Sequence, residues 1–428
     1  MNMKYRRMRI LAALRHGKRY MISFLKWFCY AGIVGIVGGF IGSIFHISID
    51  WGTNLREEFP LFIYFLPLAG LIIVWLYRHL DLYKKGNTNT VVKYAQEAGR
   101  RVPIVVSPLI FVATFLTHLC GGSAGREGAA IQIGGSVASQ IGRVFKVNKE
   151  EGRIFILCGM SALFSAVFGT PVTAMFFAME VAVVGIIMYS AIFPCMLSSV
   201  IAYAVAGFLN ISPTRFVLPD VFAVTASNLV YTVILTVFCA MLSIIFCKSI
   251  HRGEKIAVRY IKNEYMRAVI GGFLVILLTK ILNTYDYNGA GMNIITNAVT
   301  EGKSEFFAFI LKMLFTVITI SAGFKGGEII PTLFIGSTFG CVFANLVGME
   351  PQMGAAIGMI AMFCGVLNCP VASIFLSIEL FGAEGLVFFV IAVCISFMLS
   401  GYSGLYGSQK IFLSKLGRGF VNKRTKSR

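Results

Sequence analysis

Phe28 to Ile47 is a run of twenty residues without a charged side chain, Asn228 to Cys247 is a second, and Val387 to Leu399 is a shorter third. Twenty helical residues span about 30 Å, the thickness of a bilayer's hydrocarbon core. Lipid offers backbone polar groups no partner, so a chain built from such runs has to close its hydrogen bonds within helices. Composition agrees. Of the 428 residues 57% are hydrophobic and 13% charged, with a mean hydropathy of +0.79. Soluble domains carry roughly 25% charged residues, so much of a water-facing surface is missing. The expected fold is an all-α polytopic membrane protein, multi-pass in the cell membrane.

Other apolar segments are too short to cross. Pro103, Pro108, Gly121, Gly122, Gly125 and Gly128 cut one region; Gly169, Pro171 and Pro194 cut the next; Gly323, Gly326, Gly327 and Pro331 cut a third. Broken and re-entrant helices at membrane depth are tolerated only where they are buried in protein or line a wet cavity. That architecture points to a transporter or channel.

The breaks repeat in order. FGTPVTAMFFAMEV carries Glu180 nine residues after Pro171, and NCPVASIFLSIEL carries Glu379 nine residues after Pro370. Upstream, GGSAGREGAAIQIGGSVAS parallels GFKGGEIIPTLFIGSTFGC. Three anchors in one order, offset by about 200 residues, indicate two repeats, and anion sites at repeat interfaces are a common transporter plan. The expected division is a basic segment 1–24, a first transmembrane repeat 25–210, a linker 211–222 interrupted by Pro213 and Pro219, a second repeat 223–409, and a basic tail 410–428. With so short a tail, no appended cytoplasmic domain is expected.

The net charge of +19 is gathered in short segments beside apolar spans, at Lys4 to Arg19, Arg78 to Arg101, Lys248 to Arg267 and Lys410 to Arg428. That is the positive-inside pattern, with anionic lipid headgroups as partner and both termini cytoplasmic. No nucleic-acid-reading motif accompanies the charge. The basic stretch Arg143 to Arg153 fits this scheme poorly, and the sequence leaves its side open. Ten cysteines without a Cys-x-x-Cys pair read as buried small hydrophobes, and no cofactor or metal is expected.

Gly121 to Gly128, GGSAGREG, is the sharpest constellation. Its glycines allow close backbone approach, and the following apolar stretch reads as the first turns of a helix. Glu127 then sits at a helix N-terminus, where free N–H groups and the dipole favour negative charge. A permeating anion is favoured at the same place, so carboxylate and anion compete and protonation opens the gate. A plain Arg126–Glu127 ion pair in a surface loop is the alternative. The embedded Gly-x-Ser-x-Gly has no strand before it and no suitable Asp and His after it, which argues against a hydrolase, and no enzyme is expected. Gly326 to Pro331, GGEIIP, again places a carboxylate, Glu328, at the start of an apolar helix; a simple helix cap is its alternative role. Glu180 and Glu379 read as partners of buried backbone groups.

GGSAGREG with IQIGG, the GTP…ME and NCP…IEL pair, and GGEIIP together resemble the CLC family of chloride channels and proton-coupled anion antiporters, from about Trp27 to Gln409. The resemblance implies two inverted-topology repeats and a homodimer with one pore per subunit. It further implies Glu127 as the gating glutamate, with an anion lined by backbone at Gly125, Arg126, Gly128, Ile329 and Ile330 and by the Tyr406 side chain. Ala129 replaces the family's usual proline, Asn87 within Gly86-Asn87-Thr88 stands where its serine does, and Glu328 follows Gly326-Gly327. These features are similar to the CLC-F fluoride/proton antiporters, where a glutamate like Glu328 takes part in proton coupling. Val181, at the place of a second proton-relay glutamate, cannot titrate. Ile330 departs from the threonine usual in fluoride exporters and removes a hydroxyl donor. The implied function is fluoride export in exchange for protons. A chloride channel or chloride/proton antiporter of the same family is the alternative.

Overall fold

The computed structural model describes residues 3–82, 87–218, 223–415, 417 and 419–425. Gly86, Pro219, the rest of the expected linker to 222, and the last three tail residues lie outside them. Sixteen α-helices are described, eight in each half. The first half holds α1 (Met3–Glu58), α2 (Leu66–His79), α3 (Thr88–Gln96), α4 (Val106–Leu119), α5 (Glu127–Val144), α6 (Lys149–Phe168), α7 (Pro171–Ala182) and α8 (Ile192–Phe208). The second holds α9 (Ala226–Tyr260), α10 (Glu264–Leu282), α11 (Met292–Thr296), α12 (Ala308–Ala322), α13 (Ile329–Val347), α14 (Pro351–Leu367), α15 (Pro370–Phe381) and α16 (Leu386–Leu399). Among the described residues, seven helical segments are long and apolar enough to cross a membrane, while six apolar helices of 10–17 residues are shorter. The breaks read in the sequence are therefore real helix ends. Pro171, Pro351 and Pro370 open their helices, where a missing N–H costs nothing. Gly169 and Gly323 close theirs in the left-handed conformation, at φ 77° and 103°.

Corresponding helices pack alike in the two halves. In the first, α1 packs on α6 and α8, α5 on α6, and α6 on α8; in the second, α9 packs on α14 and α16, α13 on α14, and α14 on α16. The halves meet through equivalent elements, α2 with α10, α5 with α13, and α7 with α15. The last pair fixes the relative direction. Glu180, near the end of α7, accepts hydrogen bonds from Val371 N (3.2 Å) and Ala372 N (2.9 Å) at the start of α15. Glu379, near the end of α15, accepts from Val172 N (2.9 Å) and Thr173 N (2.8 Å) at the start of α7. Each carboxylate satisfies the free amides of the other helix, as expected from the sequence. Equivalent helices thus run antiparallel, and the repeats are inverted.

Burial is arranged in shells. In the most apolar stretches of α6 and α13, 83% and 78% of residues are buried, against 44% in α1 and α9. Phe40, Ile44, Trp51, Trp75, Phe238, Met241 and Phe273 form part of an exposed apolar surface on α1, α2, α9 and α10 that suits lipid. Inside, glycines let the central helices touch backbone to backbone. A Cβ on Gly134 of α5 would run into the Gly159 carbonyl of α6, and one on Gly336 of α13 into the Gly358 carbonyl of α14. Eight of the ten cysteines are buried, and all are free thiols.

The basic segments gather on one face. Arg78 Nε lies 2.6 Å from Glu264 Oε2, joining the end of α2 to the start of α10. His251 Nε2 lies 3.0 Å from the Gly404 carbonyl. The Arg143 to Arg153 loop belongs here too, because Arg153 Nε donates to Ala95 O (3.3 Å) and Glu151 pairs with Lys26 at 2.5 Å. The all-α frame carries one addition at this face. Within the segment expected as a plain basic tail, β2 (Lys410–Leu413) and β3 (Phe420–Arg424) form an antiparallel hairpin, with β2 also parallel to the short β1 (Val183–Val184). Lys410 pairs with Arg424, Ile411 with Lys423, and Leu413 with Phe420. Buried Ile411 anchors the sheet, and Leu416 and Arg418 lie outside the described residues.

Gly134→Ala and Gly336→Ala should each destabilise the protein by about 1–3 kcal/mol, the usual cost of overpacking. Denaturant unfolding of the purified protein in detergent checks this. Both variants should lose stability to a similar extent, because the two contacts are equivalent in the repeats.

Candidate anion site at the meeting of two helix starts

The loops before α5 and α13 meet at the centre of the molecule. Gly125 N donates to Gly327 O (2.6 Å) and Gly327 N to Gly125 O (2.5 Å), an isolated antiparallel pair that bonds the halves together. Only glycine fits there: a Cβ on Gly327 would stand 3.2 Å from Glu127 N and closer still to Gly128 N. Immediately after this pair each chain enters a helix. The first amides of both helices lack intrahelical acceptors and carry the positive end of the dipole. Two such ends side by side within an apolar body make a place for a small anion.

Glu127 is fully buried. Its Oε2 accepts from Arg126 N (3.1 Å) and sits over Gly125, while Oε1 has no hydrogen-bond partner. The Arg126 guanidinium stays 3.8 Å from Oε1 and is held instead by Asp50 of α1, which also lies 2.9 Å from His46 Nε2. The surface ion pair considered from the sequence is therefore directed mainly at Asp50. Glu328 occupies the N-cap position of α13 but makes no capping hydrogen bond with its side chain. Its Oε2 is buried without a partner and lies beside Gly128, 3.6 Å from where a Cβ there would stand. Each half thus places one incompletely bonded carboxylate against the helix start of the site.

The remaining expected residues divide. Ile329 and Ile330 are buried in the first turn of α13, and the Ile330 side chain packs on Gly125. Tyr406 is buried with its hydroxyl unpartnered, within electrostatic reach of Glu328 and Glu127. Its loop is braced by Gln409 N and Thr425 Oγ1, which donate to the Tyr406 carbonyl at 2.8 and 2.6 Å. Asn87 is exposed and caps α3, its Oδ1 accepting from Thr90 N and Thr90 Oγ1 at 3.0 Å each. Its neighbour Thr88 is the buried residue. Val181 is buried beside Glu180.

Sequence reasoning passed over two features. On the face away from the basic segments, a cavity of about 520 Å³ is lined by Asp50, Arg56, His118, Arg126 and Ile330 among others. Arg56 and Arg126 bring guanidinium groups to its wall, Arg56 Nη1 donating to His118 O (2.8 Å), and behind it buried Lys312 Nζ donates to Tyr287 O (3.2 Å) and Gly289 O (2.8 Å). The second feature is Gln132, one turn into α5, whose Nε2 donates to Thr88 Oγ1 (2.9 Å) and approaches Gly128 O (3.4 Å). A lone polar residue in GAAIQIGG was the available signal for it. Among the described residues no group of three or more His, Cys, Asp or Glu side chains could hold a metal.

The family model for voltage gated chloride channels matches residues 69–401. This chain belongs to that family. Among CLC relatives, the "Chloride/fluoride channel protein" of Pseudomonas syringae pv. tomato is 32% identical over 396 residues, covering 91% of this chain and 87% of the relative. A CLC-type fluoride/proton antiporter of known crystal structure is similar at a TM-score of 0.87 and 31% identity, covering 91% of this chain and 99% of that one. A slow cyanobacterial Cl⁻/H⁺ antiporter shares the CLC fold at a TM-score of 0.76 and 20% identity, over 87% and 94% of the two chains.

Gly327→Ala should force the two helix starts apart and lower anion flux about tenfold or more, because a displacement of this kind spoils a preorganised site. Flux from liposomes, read beside size-exclusion and unfolding profiles, checks it. Parental flux in a well-folded variant would show that the glycine contact is dispensable.

Proposed function

We propose that the chain is a fluoride/proton antiporter that exports fluoride. The observation that carries this reading is the pair of incompletely bonded carboxylates, Glu127 and Glu328, on the joined starts of α5 and α13. In this reading the basic face is cytoplasmic, with both termini on it, and contacts anionic lipid headgroups. Fluoride enters past Asn87 and Tyr406 and is held by the backbone of Arg126, Gly128, Ile329 and Ile330; the Gly125 amide, expected to join them, is already given to Gly327 O. Glu127 competes for the same amides. When it takes a proton from the vestibule side its charge is gone, and the anion holds the site. With Val181 unable to titrate, Glu328 is the group that receives the coupled proton. A carboxylate at membrane depth is costly unless bonded or neutralised, which suits both for proton transfer. The division into repeats at 25–210 and 223–409 and a homodimer with one pore per subunit complete the proposal. Support also comes from the two similar proteins whose names carry fluoride.

A chloride-type member of the family is the second reading, and Ile330 favours it. Its side chain lies on Gly125 and brings no hydroxyl to a strongly hydrated anion.

Liposomes holding purified protein and loaded with either halide decide between the two. Fluoride efflux should exceed chloride efflux and should drive protons inward, turning the outer medium alkaline. Chloride efflux equal to or faster than fluoride efflux would overturn the reading in favour of the second. Glu328→Gln should stop fluoride-driven proton uptake while costing about 1 kcal/mol of stability or less, since no capping bond is lost. Normal coupling in a well-folded Gln variant would remove Glu328 from the proton path.

A further inference from the structure

Gln132 is 3% exposed, and its Oε1 has no hydrogen-bond donor, although its Nε2 is fully engaged with Thr88 Oγ1 and Gly128 O. A buried amide oxygen left without a donor is costly, and such groups are rare outside functional sites. Glu328 adjoins the same Gly128 with an unpartnered Oε2. Two side chains that each carry an oxygen without a donor therefore adjoin one glycine at the start of α5. A protonated carboxyl supplies one: the acid proton of Glu328 can be shared with the Gln132 oxygen.

The partner on the other side of the amide allows a second arrangement. Thr88 Oγ1 is a hydroxyl, able to accept from an NH₂ or to donate to a C=O. Rotating the Gln132 amide by half a turn keeps Thr88 bonded, now as donor to Oε1, gives up the long contact to Gly128 O, and puts the NH₂ where the unpartnered oxygen stood. At that unpartnered position the amide then presents a donor in place of an acceptor. A small, strongly hydrated anion needs such donors to replace its water, and hydrogen bonds to a charged acceptor are the strong ones. Ile330 provides none from its side chain.

We propose that Gln132, hinged on Thr88, determines anion specificity: its amide donates to a dehydrated fluoride in one orientation and accepts the proton of Glu328 in the other. The inference deepens the functional reading above and rests on it.

The test is a paired fluoride and chloride flux assay in liposomes on the parent, Gln132→Leu, Gln132→Glu and Thr88→Val, each checked for a monodisperse profile. Gln132→Leu should lower the fluoride-to-chloride ratio about tenfold or more, the value of one hydrogen bond to a charged group. Thr88→Val should shift the ratio the same way by less. In Gln132→Glu, fluoride flux should fall as pH rises beyond the parent's own dependence, because an ionised carboxylate cannot donate. A well-folded Gln132→Leu with the parent's ratio overturns the inference and leaves the functional reading standing. If the Leu variant fails to fold, a Gln132→Glu pH profile parallel to the parent's overturns it instead. A parent that carries chloride and no fluoride overturns both.

Discussion

Two backbone hydrogen bonds between Gly125 and Gly327 hold together the starts of two helices that belong to opposite halves of the chain. Within hydrocarbon, free amides at a helix start must find partners. Lipid offers none, and α6 and α13 are far more buried than the other candidate spans. The free amides of two helix starts lie near one another there, an arrangement that favours negative charge. Much else in the fold serves this placement. Inverted repeats bring equivalent helix starts to the same point from opposite sides. Glycine contacts between α5 and α6 and between α13 and α14 let the helices lie close enough to keep them there.

The same physics appears twice in the chain with different outcomes. At α7 and α15 the amides of each helix start are taken by Glu379 and Glu180, and the four carboxylate oxygens all accept hydrogen bonds. That arrangement is closed and structural. At α5 and α13 the carboxylates are Glu127 and Glu328, and each keeps one oxygen without a hydrogen bond. Room for exchange with an anion or a proton lies in that difference. The contrast separates two pairs of glutamates that look alike in sequence, since all four sit beside helix breaks in apolar surroundings.

The membrane class, the helix breaks, the paired Glu180 and Glu379 and the helix-start position of Glu127 were legible because each depends on local residue pattern. Gly and Pro mark the ends, and the spacing of proline and glutamate repeats in both halves. Features that depend on distant partners were not legible. Gln132 acquires meaning only through Thr88, 44 residues earlier, and through Gly128 beside Glu328. That Asn87 also caps α3 through Oδ1, leaving only its NH₂ group for an anion, depends on the fold of the loop before that helix. The hairpin at 410–424 was hidden by its basic composition, since Ile411, its one buried apolar residue among those described, needs β1 from residues 183–184 to pack against. The side of the Arg143 to Arg153 loop was settled by contacts to Ala95 and Lys26, which no count of charges could supply.

Competition between Glu127 and an anion for one set of amides is the centre of the account, and fluoride binding to the purified protein tests it without reference to transport. Calorimetric titration across pH should show parental affinity rising as pH falls, because protonation removes the competing carboxylate. In Glu127→Gln the competitor is permanently neutral, so fluoride should bind at least as tightly as to the parent and its affinity should lose that dependence. An unchanged pH dependence in a well-folded Glu127→Gln would contradict the account, since the charge that competes with fluoride would then lie elsewhere.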